Sequence, residues 1–241
     1  MSSLLPHNNY SSTELRLLKT RICDLKIDYN TPQILKAIKQ LHRELDQKGL
    51  SYIRPRFYLS DEWFCPDGEC SIAIPFYLVN DQLKKLEKKL VGYVEGGTHE
   101  WCMRLLRHET GHCLDHLYGL SDHKQWKSFF GDKKKPYNPD KYNYNPKSLN
   151  FVTNLEDHYA QSHPLEDFAE TFAVWLDPKN NWEESYSKRK KVISKLCYVD
   201  KLITNLANKP KKYRAKSYWQ LSTLRITLKT HYNRRMKSQI N

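Results

Sequence analysis

Apolar residues recur every three or four positions over most of the chain, and this spacing predicts a mostly helical protein. Two such stretches lie in residues 1–50, and Thr31-Pro32 before the second is typical of a helix start. Their apolar positions are Leu15, Leu18, Ile22 and Leu25 in the first stretch, and Ile34, Ile38, Leu41 and Leu45 in the second. We interpret this pair as a helical segment packed on the rest of the protein.

Residues 51–59 and 71–79 carry a different pattern, because they are rich in β-branched and aromatic side chains, which predicts strands. Each stretch contains a proline, and a proline within a strand indicates an edge of a sheet. An exposed edge can take up an extended peptide through backbone hydrogen bonds, but ordinary short edge strands show the same pattern. The predicted fold class is therefore α+β, mostly helical with a small edge-exposed sheet.

Three further helices are predicted before residue 131. The first covers roughly residues 80–91, and its lysines alternate with leucines. The second runs from Thr98 to Tyr118 between breaking glycines, and the third is a short helix from Ser121 to about Phe130. Residues 131–150 have no periodicity and are either a rim over a cleft or a disordered segment.

The long helix contains the run Arg107-His108-Glu109-Thr110-Gly111-His112. Residues four apart lie on one face of a helix, so His108 and His112 can offer two imidazole nitrogens to one metal ion. Glu109 then lies beside the metal as a general base, which is the zinc-peptidase arrangement. With 10 histidines in the chain, chance alone produces this pattern in roughly a few per cent of such sequences, so the context has to decide.

A catalytic zinc needs a third protein ligand and an open position for water. A helix predicted from Pro164 to about Asp177 carries Glu166 and Glu170 on the flank of its apolar stripe. Either glutamate can be the ligand, with the other behind a ligand histidine. The residues alone leave this choice open, and without the upstream histidines both would be interpreted as solvated charges.

Hydrophobic residues make up 39% of the chain and charged residues 28%, which indicates a soluble protein with a modest core. The net charge of +13 is concentrated in residues 181–241, which hold 16 basic and three acidic residues, whereas residues 1–180 hold 24 of each. This excess suggests an acidic partner, nucleic acid or an anionic surface.

Two interpretations of residues 181–241 remain open. Basic residues interleaved with aromatics can bind nucleic acid through phosphate contacts and base stacking. A basic helical region that packs on the rest of the protein through those aromatics has the same composition. The aromatics are Trp182, Tyr186, Tyr198, Tyr213, Tyr218, Trp219 and Tyr232. In the alternative function, this region binds nucleic acid or an acidic partner and the zinc site is structural or inactive.

Six cysteines are scattered along the chain, and the first residues show no secretory pattern and no membrane span. We therefore expect a cytoplasmic protein, with secretion by a signal-independent route still open. Whether Cys65 and Cys70 pair across Pro-Asp-Gly-Glu is also open.

Several stretches together resemble a bacterial family of zinc-binding metallopeptidases of the gluzincin type. The resemblance covers residues 56–176 and rests on four stretches besides the helix from Pro164. They are Asp61-Glu62-Trp63-Phe64-Cys65-Pro66, Glu95-Gly96-Gly97-Thr98-His99-Glu100-Trp101-Cys102, the histidine run, and Tyr159-Ala160-Gln161-Ser162-His163-Pro164. It implies a zincin-like core over residues 51–180, between the helical segment 1–50 and the basic helical region 181–241.

A more remote similarity, to the catalytic domain of anthrax-type lethal factor, supplies the finer assignments. It implies that Glu166 is the third zinc ligand and that Glu170 stands behind the ligands. It also implies that Asp115 orients a ligand histidine and that Tyr159 assists the transition state. His158 and His163 are substitutes for the tyrosine, although each is better interpreted as a surface or capping residue. The predicted function is a zinc metallopeptidase with one catalytic Zn²⁺ that acts on a peptide or protein.

Overall fold

The structure, a computed structural model, describes residues 10–138, 141–206, 209, 211 and 219–238. Helices predominate in this part of the chain, and one two-stranded sheet is present there. The helices are α1 (Ser12–Lys19), α2 (Pro32–Gln47), α3 (Asp81–Val91), α4 (His99–Tyr118), α5 (Lys124–Phe130), α6 (Pro164–Leu176), α7 (Trp182–Ser185), α8 (Lys190–Leu206) and α9 (Leu228–Ser238), and the strands are β1 (Arg56–Ser60) and β2 (Ser71–Pro75). The α+β class, mostly helical with a small sheet, is confirmed.

The first helix is shorter than the apolar spacing predicts. It ends at Lys19, and Ile22–Asp24 forms a separate 3₁₀ turn. The backbone N–H of Ile22 donates to the carbonyl of Ile226 at 2.9 Å. Pairing with the segment before α9 therefore replaces continued helix, because it satisfies the same backbone donors.

The sheet differs from the expectation of an exposed edge. The two strands pair in parallel, with Arg56 opposite Ser71. All five positions of β2 are buried, and Phe76–Val79 is a 3₁₀ turn rather than strand. The far side of β2 is covered too, because the N–H of Ala73 donates to the carbonyl of Phe64 at 2.9 Å. The strand thus lies at an edge of a two-stranded sheet, but the expected exposure of this edge was wrong, because all its residues are covered by other parts of the chain.

Local sequence features define the ends of α4 as predicted. The side chain of Thr98 accepts a hydrogen bond from the N–H of Trp101, and Gly119 ends the helix in the left-handed conformation at φ +61°. A glycine can adopt this conformation without a Cβ clash. The helix that carries the two histidines is therefore closed by a cap at each end.

A buried ion-pair cluster holds α4 against two other helices. Arg107 forms a two-pronged contact with Glu44 of α2, with both N···O distances at 2.8 Å. Its Nη1 lies 2.7 Å from Oδ2 of Asp177, the residue that follows α6. The side chains of Arg107 and Glu44 are only 4% and 3% exposed. Such bidentate contacts fix geometry as well as charge, so α4 has a defined position next to α6.

The closest approach of α4 and α6 occurs at Gly111. A Cβ at that position would lie 2.9 Å from Cα of Ala169, which is too short for a real contact. The glycine of the histidine run is therefore required by packing. With the two backbones this close, side chains of α6 can reach the histidine-bearing face of α4.

The C-terminal region is built into the fold. Lys195 of α8 contacts Asp167 of α6 with an Nζ···Oδ2 distance of 2.5 Å, and both side chains are 3% exposed. On α9, the Tyr232 hydroxyl donates to Oε2 of the buried Glu87 at 2.8 Å. Arg235 also contacts Glu87, with 2.5 Å between Nη1 and Oε1. Part of the basic excess is thus used in internal contacts.

Three of the aromatic residues considered for base stacking are buried, namely Tyr186, Tyr198 and Tyr232. Trp219 is 69% exposed. Tyr213 and Tyr218 lie outside the described residues, as do several of the basic positions around them. Within residues 181–206 and 219–238, the structure therefore favours the packing interpretation. None of the described helices is both long and apolar enough to cross a membrane.

Candidate metal centre

Three donor atoms from two helices meet at one point. Nε2 of His108 and Nε2 of His112, one turn apart on α4, are 3.1 Å from each other. Oε2 of Glu166, in the first turn of α6, lies 3.0 Å from the former and 3.1 Å from the latter. His108 and Glu166 are buried, and His112 is nearly so. These three residues are the ones in the described chain that could together hold a metal ion.

The donor set fits zinc. Two ligands about 2.0–2.1 Å from a tetrahedral Zn²⁺ are roughly 3.3 Å apart, close to the three separations of 3.0–3.1 Å. Two imidazoles and one carboxylate are the ligand set of known catalytic zinc sites. Structural zinc sites use four protein ligands, and the described residues supply three here.

Glu170 lies behind His108, one turn along α6 from Glu166. Its Oε1 is 2.8 Å from Nδ1 of His108 and 2.8 Å from Nδ2 of Asn154. Its Oε2 accepts the backbone N–H of Leu155 at 2.8 Å. With Nδ1 donating to this carboxylate, the lone pair of Nε2 is directed towards the other two donors.

The three donors perturb one another electrostatically. Burial alone would lower the pKa of His108, but its hydrogen bonds to Glu166 and Glu170 outweigh burial and hold the pKa well above its ordinary value. Burial also opposes charge on His112, yet the Glu166 carboxylate raises its pKa. Burial would raise the pKa of Glu166, but the two imidazoles hold it well below its ordinary value. The apo centre thus keeps protons that a metal ion would displace.

Glu109 lies next to the three donors and has a different environment. Its side chain is 6% exposed and has no hydrogen-bond or ion-pair partner among the described residues. Burial raises the pKa of Glu109 to about 7, although the charges of His108 and His112 oppose this rise. A carboxylate with a pKa near neutrality can both accept and return a proton at physiological pH.

Tyr159 stands over the same centre, with its ring centroid 5.7 Å from that of His108. Its hydroxyl is 2.7 Å from the hydroxyl of Tyr137. Asp157 and His158, both at φ +56°, turn the chain immediately before it in the left-handed conformation. Burial raises the pKa of Tyr159 far above its ordinary value, so the hydroxyl stays protonated and can donate.

The structure places the other candidate residues elsewhere. Oδ1 of Asp115 accepts the backbone N–H of Ser121 at 2.6 Å. Among the described residues, Asp115 makes no hydrogen bond to His108 or His112, so it secures the chain after α4. His158 is exposed, and the ring of His163 caps α6 by accepting the N–H of Leu165 at 3.2 Å.

Cys65 and Cys70 do not form a disulfide, and Cys65 contacts a different cysteine. All six cysteines are free, and Sγ of Cys65 lies 3.4 Å from Sγ of Cys113 on α4. It also lies 3.5 Å from Nδ1 of His116. The hydrogen bond from Cys113, together with His116, lowers the pKa of the Cys65 thiol to about 6 against the effect of burial.

A cleft of about 910 Å³ opens over His108 and Glu109. Aromatic side chains from three parts of the chain line it: Trp63, Tyr93, Trp101, Tyr142 and Tyr144. The last two belong to the aperiodic stretch 131–150, which therefore forms a rim of the cleft where it is described.

The sequence patterns missed three residues of this centre. Tyr137 and Asn154 lie in irregular segments, where no periodicity indicates which way a side chain points. Glu95 lines the cleft. In the sequence it precedes a glycine pair, which indicates a break before a helix but no role for the glutamate. The one available indication was that Glu95 belongs to a stretch resembling zinc metallopeptidases.

The chain matches a protein family that is described as "Putative zinc-binding metallo-peptidase". The match covers residues 102–238, which is more than half of the chain and includes both α4 and α6 almost entirely. No curated protein matches the chain, and no solved structure does. From the extent of the family match, the chain belongs to the putative zinc-binding metallo-peptidase family.

Proposed function

We propose that the protein is a zinc-dependent peptidase of the gluzincin type with a zincin-like core. The observation that carries this proposal is the convergence of His108 Nε2, His112 Nε2 and Glu166 Oε2 within 3.1 Å of one another, with Glu109 beside them. His108 and Glu109 line a cleft, which favours catalysis over a structural role.

His108, His112 and Glu166 would hold one Zn²⁺, which when bound lowers the pKa of a water towards about 7 and polarises a carbonyl oxygen. Glu109 accepts the proton of the attacking water on its carboxylate and passes it to the nitrogen of the departing amine. Burial raises the pKa of this carboxyl, which favours uptake of the proton. Glu170 holds the His108 ring through Nδ1 during the reaction.

Tyr159 is proposed to donate a hydrogen bond to the oxygen that gains negative charge as the peptide bond is attacked. Tyr159 lines the cleft with His108, and its hydroxyl contacts that of Tyr137, so that either hydroxyl can be the donor. The preceding left-handed turn at Asp157 and His158 positions this hydroxyl.

The alternative is a nucleic-acid or acidic-partner binding protein with a structural or inactive zinc site. Burial of Tyr186, Tyr198 and Tyr232 counts against it, because stacking on bases requires exposed rings. The intact Glu109 also counts against a site that has lost its activity. We therefore retain the peptidase as the proposed function.

The test compares the wild-type protein with Glu109→Gln and with Glu183→Gln, a matched change at an exposed position of α7. Zinc content is measured by mass spectrometry, and new termini are measured in a mixture of short peptides. We expect one zinc in each protein and cleavage that a chelator stops. We expect Glu109→Gln to be slower by about 10³-fold or more, in line with loss of a general base. Equal cleavage by Glu109→Gln would contradict the proposal.

A further inference from the structure

The cleft is acidic although the protein is strongly basic. Among the described residues that line it, the carboxylates are Glu62, Glu95, Glu109, Glu156 and Asp157, and the basic side chains are Lys141, Arg235 and the candidate ligand His108. The whole chain carries a net charge of +13. A concave site with an excess of one sign, within a body of the other sign, attracts ligands of charge opposite to its own.

One of these basic side chains, Arg235, has an ion-pair partner outside the cleft lining. Nη1 of Arg235 lies 2.5 Å from Oε1 of Glu87, whose side chain has no exposed surface. Oε2 of the same carboxylate accepts the hydroxyl of Tyr232. Arg235 is therefore held by a buried charge that does not line the cleft, although its charge also acts on Glu95 and Tyr93. The carboxylates of the lining still outnumber its basic side chains.

Glu95 is a carboxylate of the cleft lining that lies near Arg235. Among the described residues it has no hydrogen-bond or ion-pair partner, and it is only partly exposed. Burial raises the pKa of Glu95, and the charge of the nearby Arg235 offsets this rise only in part. A further cation bound beside Glu95 would therefore stabilise its charged form.

The backbone next to Glu95 is rigidly placed. Gly96 has φ +71°, and a Cβ there would lie 3.0 Å from the Trp63 ring. The indole therefore packs directly on the glycine and fixes the turn that presents Glu95. A carboxylate on a fixed turn can select a ligand charge more sharply than one on a mobile loop.

Aromatic faces stand beside this carboxylate in the same cleft. The rings of Tyr93 and Trp101 are stacked, with centroids 6.0 Å apart and planes at 26°. Tyr93 is 45% exposed, so the pair is accessible from the cleft. Guanidinium and ammonium groups bind favourably over such rings.

We propose that Glu95 determines specificity by binding a positively charged group of the peptide substrate against the Tyr93–Trp101 pair. The group is an arginine or lysine side chain or the terminal ammonium of the peptide. This inference rests on the proposed peptidase function and names its substrate class. A second metal ion is disfavoured as the occupant, since Glu62 and Glu95 do not join any metal-binding group found in the described residues.

The test uses quenched fluorescent peptides that differ at one position at a time, with arginine, lysine, norleucine or glutamate. Each peptide is made with a free and with an acetylated N-terminus, which separates the two sources of positive charge. We expect kcat/KM to favour a cation at one position, or at the terminus, by about tenfold, the size of one charge-assisted hydrogen bond. Equal rates for arginine, norleucine and glutamate at every position and both termini would overturn the proposal.

The matched variants are Glu95→Gln and Glu183→Gln, which remove one negative charge inside and outside the cleft. The preference should fall to less than about threefold in Glu95→Gln, because the charge-assisted contact is lost. It should persist in Glu183→Gln. An unchanged preference in Glu95→Gln, with circular dichroism matching the parent, would also overturn the proposal.

Binding to the Glu109→Gln protein separates this inference from the proposed function. The anisotropy of dye-labelled cationic and norleucine peptides reports affinity without cleavage. If the wild-type protein cleaves nothing but the Glu109→Gln protein prefers the cationic peptide in a way that depends on Glu95, the inference is supported while the peptidase function fails. Cleavage without any charge preference would support the peptidase function and contradict the inference. Absence of cleavage and of preferential binding would contradict the peptidase function and the inference alike.

Discussion

Nδ1 of His108 lies 2.8 Å from Oε1 of Glu170, so the carboxylate that holds this ring comes from the same helix as the proposed third ligand. Glu166 and Glu170 are one turn apart on α6, and their carboxylates contact opposite nitrogens of one imidazole. One helix thus supplies the proposed ligand and the residue that orients another ligand.

This arrangement predicts that Glu170→Gln weakens zinc binding without abolishing it. The amide can still accept from Nδ1, but it loses the charge that strengthens His108 as a donor to zinc. We expect zinc affinity to fall by about 10–100-fold with the stoichiometry unchanged at saturation. Competition with a chromophoric chelator measures the affinity. An unchanged affinity, or complete loss of zinc, would contradict this assignment.

Zinc should stabilise the protein more at pH 8 than at pH 6. The pKa values of His108 and His112 are raised in the apo protein. Their charged contacts with Glu166 therefore contribute stability that is fully present below about pH 6.5, the ordinary value for histidine, and is lost as pH rises through the folded-state values. Zinc needs both rings neutral, and each displaced proton weakens apparent binding by about tenfold per pH unit as pH falls.

Thermal unfolding with and without zinc at the two pH values measures this effect. The rise in Tm should be larger at pH 8. His112→Ala is the control and should show little rise at either pH. A rise in Tm that is equal at both values, or larger at pH 6, would show that the imidazoles are not protonated in the apo centre.

Tyr159→Phe removes the proposed donor to the developing oxyanion. We expect kcat to fall by about 100-fold with zinc content unchanged, as for loss of a single oxyanion donor. Tyr137→Phe is the comparison, because its hydroxyl contacts that of Tyr159, and its effect should be less than about tenfold. Steady-state kinetics on one good peptide measure both. A larger effect of Tyr137→Phe would contradict this assignment and identify Tyr137 as the donor to the oxyanion.

The buried pair of Asp167 and Lys195 should be important for stability. Burial raises the pKa of Asp167 to about 7, and Lys195 opposes this rise. Lys195→Met would leave the carboxylate without its charged partner and should cost about 3–5 kcal/mol in urea unfolding. Lys133→Met, which breaks a more exposed contact with Asp122, should cost less than about 1 kcal/mol. The double variant Asp167→Leu, Lys195→Met should recover most of the loss, and similar losses for the two lysine variants would contradict this account.

Local sequence features predicted the elements that hold the site. Thr98 and Gly119 define the ends of α4, and Pro164 starts α6, because caps and prolines act on their own backbone. Periodicity was insufficient at Ile22, where pairing with Ile226 ends the helical stretch through a contact distant in sequence. Such contacts are set by tertiary packing, which a local pattern does not contain.

At the metal centre too, local spacing predicted some residues, whereas contacts between distant segments could not be predicted. Spacing placed His108 and His112 on one face, but the choice of Glu166 required a family resemblance. Asn154 could not be found from the sequence, since it reaches Glu170 from an irregular segment. Asp115 was expected behind a histidine and instead accepts the N–H of Ser121, because the turn after α4 brings that donor to it.

The measurement that tests the central claim most directly is the zinc content of the wild-type protein beside Glu166→Ala and Glu170→Ala. Each protein is purified, dialysed against a weak chelator and analysed by mass spectrometry, with folding checked by circular dichroism. We predict one zinc per wild-type chain, loss of zinc in Glu166→Ala, and weakened but measurable binding in Glu170→Ala. A folded Glu166→Ala protein that retains its zinc, or a wild-type protein that binds none, would contradict the account.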